Sequence, residues 1–341
     1  MKQGRFAVVG GGAWGTALAV DLAREGAAVR LWMRDATLVA RMRVQRDNPA
    51  HLPGIRVPDG VLPLADLVPA LDGAETVVVA VPAQYARAVY RAMRPHFPPG
   101  APVIVTCKGI EEGTLALPLD VAAAELAPPD RLGYLSGPSF ALEVAQGLPT
   151  AVVMAAQDAL LAGRLQERVA SRSLRVYTNQ DPLGVQLAAA LKNVMAIAAG
   201  VADSLGLGSN AVAALITRGL AEITRLVLAR GGGAGTTAGL AGMGDLVLTC
   251  TGEQSRNRRV GQRIGRGERL EDVLAGDRSV AEGVRTVRAA RELAGRAGVE
   301  MPIVDEVYRI LYEEGRVHEG LERLLGRRLT AEEEALRARG G

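Results

Sequence analysis

Two lysines stand where a proton could be carried. Lysine occurs only at Lys2, Lys108 and Lys192 among 40 basic residues, and all the others are arginine. Arginine stays protonated near neutrality, whereas a desolvated ammonium can be pushed into a range where it gives and takes protons. Lys108 follows the apolar run at residues 102–107, and Lys192 interrupts the apolar stretch at 187–197. Neither setting suits a solvated charge. An arginine bias could leave two lysines there by chance, with buried stems and paired heads. The segment Gly242-Met243-Gly244-Asp245 offers an acid that could pair with a lysine. Alone, Asp245 would read as a turn or cap residue.

A second group of residues has the chemistry of phosphate binding. Gly10-Gly11-Gly12-Ala13-Trp14-Gly15 follows an apolar strand and leads into a helix. In that context Gly10 permits a tight turn, Gly12 lets backbone approach a pyrophosphate, and Gly15 lets the helix pack close on the strand. The helix would aim its positive N-terminal end at the phosphates. The next strand ends in Met33 and Arg34, followed by Asp35. An arginine here can pair with a 2′-phosphate, which favours NADP(H) over NAD(H), whereas a solvated Arg34 would leave the ribose to Asp35. Farther on, Ser255-Arg256-Asn257 opens a helical stretch, where backbone donors and a guanidinium converge as an anion site. Arg258, Arg259, Arg263 and Arg266 read instead as a solvated basic face.

The elements that must position these groups divide the chain in two. Residues 5–9, 28–33, 76–82, 102–107, 132–136, 151–154 and 174–177 read as strands, several apolar throughout, as strands buried on both faces are. Helical segments between them complete a doubly wound, mostly parallel α/β sheet of the Rossmann kind over residues 1–180. Its crevice lies at the carboxyl ends of the strands, where Lys108 falls. Residues 181–341 read as an all-α domain. A helix over 183–202, too apolar all round for a surface element, carries Lys192 at its middle, and a second helix follows over 210–230. Residues 327–341 read as a charged, frayed helix. The two lysines are therefore expected to face each other across the interdomain cleft.

Composition narrows the partners. A hydrophobic content of 48% fits folded domains, and a net charge of +3 with 3% aromatic residues gives no stacking surface for nucleic acid. Cys107 and Cys250 lack metal-ligand spacing, and His51, His96 and His318 are scattered, so no metal is expected. The chain enters an apolar strand at residue 5, so no signal peptide is expected, and no apolar run reaches the length of a membrane span. A cytoplasmic protein without stable membrane insertion is the expectation, and the apolar helical half suits a homodimer.

These motifs together resemble the bacterial NAD(P)-dependent sn-glycerol-3-phosphate dehydrogenases over essentially the whole length. The resemblance is carried by Gly10 to Gly15, Thr106-Cys107-Lys108-Gly109-Ile110-Glu111, Ser136-Gly137-Pro138-Ser139-Phe140-Ala141, Leu191-Lys192-Asn193-Val194, Gly242-Met243-Gly244-Asp245-Leu246, Gln254-Ser255-Arg256-Asn257-Arg258 and Val280-Ala281-Glu282-Gly283. It implies reversible hydride transfer interconverting dihydroxyacetone phosphate and sn-glycerol 3-phosphate, a phosphorylated small-molecule substrate, and supply of the glycerol phosphate backbone for phospholipids. It also implies that Lys192 is the proton acceptor and that Lys108 touches cofactor and substrate. Gly137, Ser139, Asp245, Ser255, Arg256 and Asn257 would contact substrate. Ala13, Trp14, Arg34, Ala141, Arg256, Val280 and Glu282 would contact cofactor. Ala13 stands where a serine is frequent in the family, and Ser139 where a threonine is.

Two other readings remain at this point. One is a dehydrogenase of similar architecture acting on a hydroxy acid or hydroxyacyl thioester; hydroxyacyl enzymes of this shape use a histidine and glutamate pair, and no histidine lies between His96 and His318. A nucleotide sensor that kept only the glycine loop would have no use for Lys192 inside a helix.

Overall fold

A computed structural model describes residues 4–275, 281–313 and 315–328. Residue contacts divide the chain into a first unit, Met1–Cys107 with Pro118–Pro182, and a second, Lys108–Leu117 with Leu183–Gly341. The sequence reading placed one boundary after residue 180, but the chain also leaves the first unit at Lys108 and returns at Pro118.

Among the described residues of the first unit ten strands form: β1 (Arg5–Val9), β2 (Ala28–Trp32), β3 (Asp47–Asn48), β4 (Leu52–Arg56), β5 (Val61–Leu64), β6 (Thr76–Val79), β7 (Val103–Val105), β8 (Leu132–Ser136), β9 (Thr150–Ala155) and β10 (Leu174–Asn179). Eight make one sheet in the order β10-β9-β8-β7-β6-β1-β2-β5, and β3 and β4 form a separate antiparallel pair. All neighbours in the large sheet are parallel except β8 and β9. The chain runs outward from β1 through β2 to β5, then crosses back to β6 on the other side of β1. The strand order thus reverses between β1 and β6, which opens a crevice at their carboxyl ends.

The apolar runs explain the strands. Val8, Val78, Ile104 and Leu135 are buried beneath helices, as a parallel sheet covered on both faces requires. β5 pairs Pro63 with Leu31 and contains a residue without a ladder donor, a position tolerated at a sheet edge. β3, β4 and β5 are elements that the sequence reading did not identify.

The second unit is helical. Pro182–Ser204 is apolar enough to cross a membrane by length and composition, yet 94% of its most apolar window is buried in the protein. It is a core helix: Leu187, Leu191, Val194 and Ile197 pack with Ile223 and Leu226 of the helix Gly208–Ala229, Val287 of Glu282–Arg296 and Val304 of Pro302–Tyr312. Glu222, also buried, accepts from the backbone N–H of Ile303 at 2.8 Å and so satisfies a donor at the start of Pro302–Tyr312. Burial pushes the Glu222 carboxyl up to about 8.

Candidate active site

The second unit brings both lysines onto one carboxylate. Lys192, 6% exposed, projects from the middle of Pro182–Ser204, and Asp245, 1% exposed, begins the helix Asp245–Thr251. The Lys192 ammonium donates to Asp245 Oδ1, and Lys108 Nζ donates to Asp245 Oδ2 at 2.8 Å. A cleft between domains was the expected setting for the pair. Instead, Lys108 is the first residue of the excursion 108–117, so the whole cluster falls within the second unit. The chain is pinned just before Lys108, where Tyr134 donates its hydroxyl to the Cys107 carbonyl at 2.8 Å.

Asp245 owes its place to an irregular turn. Residues Leu240–Gly244 form one π-helical turn that leads directly into Asp245–Thr251. Gly242 sits so close to its neighbours that a Cβ there would lie 2.0 Å from the Thr237 carbonyl oxygen, so only glycine fits. The glycines flanking the acid in the sequence thus serve this turn.

Thr249, which sequence reasoning missed, completes the cluster. It lies one helical turn beyond Asp245, donates its hydroxyl to the Asp245 carbonyl at 2.6 Å, and accepts from Lys192 Nζ at 2.9 Å. With its one proton committed to the backbone, the Thr249 oxygen can only accept from Lys192. An ammonium has three N–H groups. Asp245 and Thr249 take two, and no other described residue takes the third.

Electrostatics tune this third position. Burial lowers the Lys192 ammonium, Asp245 opposes that change, Lys108 adds to it, and the group settles at about 7. Burial alone would raise Asp245, but Lys108 first and Lys192 next pull it below the ordinary carboxylate value. The carboxylate therefore stays charged while Lys192 titrates near neutrality. Cys250, in the same helix as Asp245, is pushed up to about 12 by burial and remains a neutral thiol.

The segment at 255–257 is the start of the helix Arg256–Gly265. Ser255 Oγ caps it by accepting from the Arg258 N–H at 3.2 Å, and Arg256 is exposed at its first position. Asn257 is also bonded within the unit: its Nδ2 donates to Asn193 Oδ1 at 2.9 Å and its Oδ1 accepts from Gly283 N at 3.0 Å. That carboxamide ties three helices together. Its second Nδ2 hydrogen and its backbone N–H at the helix N-terminus are what Asn257 can offer an anion. Glu282 opens the helix Glu282–Arg296 next to that tie. Of the arginines expected on a solvated face, Arg258 pairs with Asp203 at 3.0 Å and Arg263 with Glu268 at 2.5 Å. Val280 lies outside the described residues, as do residues 329–341 of the expected terminal helix.

In the first unit the glycine loop has the form of a pyrophosphate cradle. Gly10 has a φ of +117°, and a Cβ on it would lie 2.6 Å from the Ala80 carbonyl oxygen. A Cβ on Gly15 would lie 1.8 Å from the Gly10 carbonyl oxygen, so the helix Ala13–Arg24 packs directly on the loop. A Cβ on Gly12 would meet nothing within 4 Å. Gly12 thus faces open space at the N-terminus of a helix that has no side-chain cap and no acid in its first turn. These features fit a dinucleotide. Trp14 and Ala141 pack half-buried against the same core, and Trp14 Nε1 is buried without a hydrogen-bond partner among the described residues. Gly137 follows β8 with a φ of +145°, and Ser139 donates its hydroxyl to the Gly137 carbonyl at 3.0 Å.

Arg34 is exposed just beyond the carboxyl end of β2. Asp35 is otherwise engaged, because its Oδ1 accepts from Leu38 N at 3.0 Å and caps the helix Ala36–Gln45. One oxygen of this acid is therefore given to a helix end, while Arg34 beside it is exposed.

Known proteins resemble this chain over nearly its whole length. Residues 5–162 match the N-terminal model, and residues 181–322 the C-terminal model, of NAD-dependent glycerol-3-phosphate dehydrogenase. The chain is 48% identical over 331 residues to the glycerol-3-phosphate dehydrogenase [NAD(P)+] of Geobacter sp. (strain M21), covering 96% of this chain and 98% of that one. It is 47% identical over 335 residues to the protein of the same name from Moorella thermoacetica, covering 98% and 99%. The crystal structure of glycerol-3-phosphate dehydrogenase from Coxiella burnetii superimposes with a TM-score of 0.90 at 39% identity, covering 95% of this chain and 99% of that one.

Proposed function

The chain belongs to the NAD-dependent glycerol-3-phosphate dehydrogenase family, and on that premise we propose that Lys192, held by Asp245 and Thr249, moves the proton at C2 of the substrate. The enzyme is an NAD(P)-dependent oxidoreductase that interconverts dihydroxyacetone phosphate and sn-glycerol 3-phosphate. The bound nicotinamide supplies or takes the hydride. The proton is left to the protein.

The observation that carries this reading is the third valence of Lys192. As an ammonium it presents one N–H beyond those given to Asp245 and Thr249, which can protonate the C2 oxygen during reduction. As an amine it presents a lone pair in the same direction, which can take the hydroxyl proton during oxidation. A group settling at about 7 can serve in both states. The two lysines around one carboxylate leave the cluster a net positive charge, which stabilises negative charge developing on that oxygen. Ser255, Arg256 and the Asn257 N–H are assigned to the substrate phosphate, with Gly137, Ser139 and Lys108 as further substrate contacts. Binding the phosphate away from the reacting carbon supplies orientation. Gly10, Gly12, Ala13, Trp14, Gly15, Arg34, Lys108, Ala141, Arg256 and Glu282 are assigned to the cofactor, with Val280 on the sequence resemblance alone.

Reduction of dihydroxyacetone phosphate, followed at the nicotinamide absorbance with NADPH and NADH in parallel, tests the activity. Turnover is expected with one or both; none with either would sink the reading.

NADP(H) preference rests on Arg34 standing exposed beside an Asp35 that caps a helix with one oxygen. Replacing Arg34→Ala should weaken NADPH by about tenfold, the loss of one charge-assisted contact, and leave NADH within about twofold. Equal losses for both cofactors would remove the 2′-phosphate from Arg34.

A homodimer, the expectation from the sequence, would be reported by light scattering as a mass near twice the 35.7 kDa chain. The one span-like helix among the described residues is buried in the protein, which supports an enzyme without membrane insertion; its cytoplasmic place and its supply of phospholipid synthesis are carried over from the family resemblance. Sedimentation of the native protein with membranes would contradict that assignment.

A further inference from the structure

The hairpin β3–β4 joins neither sheet edge, and its purpose is found in one side chain. Asn48 is fully buried on β3. Its Nδ2 donates to the Gly11 carbonyl at 3.0 Å and to Thr16 Oγ1 at 2.8 Å, reaching back 37 and 32 residues respectively. Thr16 in turn donates its hydroxyl to the same Gly11 carbonyl at 3.3 Å. From the other direction, Gly11 is pressed so closely on Met33 that a Cβ would lie 2.3 Å from the Met33 methyl. Gly11 is thus fixed on both sides by residues outside the loop.

The consequence follows from peptide geometry. The Gly11–Gly12 peptide is trans, so its carbonyl and its N–H point in opposite directions. A Gly11 carbonyl held inward by Asn48 sets the Gly12 N–H outward. Gly12 is the residue whose Cβ position opens onto empty space at the helix N-terminus. Without the carboxamide this peptide could rotate, since glycine tolerates nearly every backbone conformation, and its donor would no longer be set in advance for an anion.

We propose that Asn48 is a positioning residue for the dinucleotide pyrophosphate, acting through the Gly11 carbonyl to aim the Gly12 N–H. This rests on the dinucleotide reading of the glycine loop and adds the residue that orients it. The role is shared by NADPH and NADH, because the pyrophosphate is common to both. It does not extend to the 2′-phosphate or the adenine.

The test is equilibrium binding to the full-length protein, read by fluorescence titration with NADPH, NADH and adenosine 2′-monophosphate, which lacks the pyrophosphate. Replacing Asn48→Ala should weaken NADPH and NADH alike by about tenfold, as loss of a hydrogen bond that aims a protein donor at a charged ligand would. Adenosine 2′-monophosphate should bind within about twofold of the original protein. At saturating NADPH, kcat and the KM for dihydroxyacetone phosphate should also stay within about twofold. If Asn48→Ala fails to fold, Asn48→Leu fills the same volume without a donor and should give the same pattern. Unchanged NADPH affinity in the folded variant would overturn the proposal. So would an equal loss for adenosine 2′-monophosphate, which would mean that Asn48 merely supports the domain. Because binding needs no turnover, these outcomes are independent of the assay for dihydroxyacetone phosphate reduction.

Discussion

Replacing Lys192→Ala lowers turnover of dihydroxyacetone phosphate by about two to four powers of ten, the range that a positioned proton donor contributes. NADPH affinity changes little, because the glycine loop and Arg34 belong to the other unit and do not involve Lys192. The variant also leaves Asp245 with Lys108 as a partner at 2.8 Å, so the carboxylate is not stranded and the fold should survive. Lys192→Arg should not restore the rate. A guanidinium keeps its proton throughout the working range and cannot serve as the base in oxidation. Steady-state turnover together with an NADPH titration checks both halves. Near-normal turnover in Lys192→Ala would remove this residue from proton transfer and return the lysine to a buried structural cation.

The glycine loop and the two lysines were legible in the sequence because each breaks a local rule. Glycines between a strand and a helix are costly unless the backbone needs them, and a lysine inside an apolar helix is costly unless it is paired or functional. Such conflicts point to sites. Thr249 broke no rule: a threonine one turn beyond an acid can always return its hydroxyl to the helix carbonyl, and this one does so while also accepting from Lys192. The interior bonds of Asn257 were illegible for a related reason. A carboxamide serves a ligand or an interior tie equally well, and only the positions of Asn193 and Gly283 decide that it is the tie.

The strand pattern shows the same division. β6, with Thr76–Val79 buried throughout, announces itself by composition, whereas the antiparallel turn of β9 against β8 does not. A six-residue apolar strand reads alike in either direction. The pair β3–β4 was missed because β3 has only two residues, one of them Asn48, and β4 contains a proline and a glycine, all depleted in strands. Its value lies in a contact across 37 residues, to which no local signal corresponds. The excursion 108–117 was hidden likewise, since nothing in those residues says which core they join.

Replacing Asp245→Asn should change the pH dependence as well as the rate. In the native cluster the buried carboxylate holds Lys192 up against burial and against Lys108, and the balance is a group at about 7. Removing its charge leaves burial and Lys108 acting in the same direction, so the Lys192 pKa falls further. Two outcomes compete. A buried ammonium without its carboxylate would cost about 3–5 kcal/mol of stability, but Lys192 can escape that cost by releasing its proton, which Arg in the same place could not. The variant should therefore fold with a neutral Lys192. Reduction of dihydroxyacetone phosphate requires the protonated form, so at pH 7 its rate should fall by about two to three powers of ten. The falling limb of its pH profile, expected near 7 in the native enzyme, should move to lower pH. Lys108→Met should move the same limb the other way, since it removes a cation that depresses Lys192. A pair of profiles displaced in opposite directions is a signature that damage to packing would not give. If both variants keep the native limb, the group titrating in catalysis is not Lys192, and the charge relation among Lys108, Asp245 and Lys192 has no part in the chemistry.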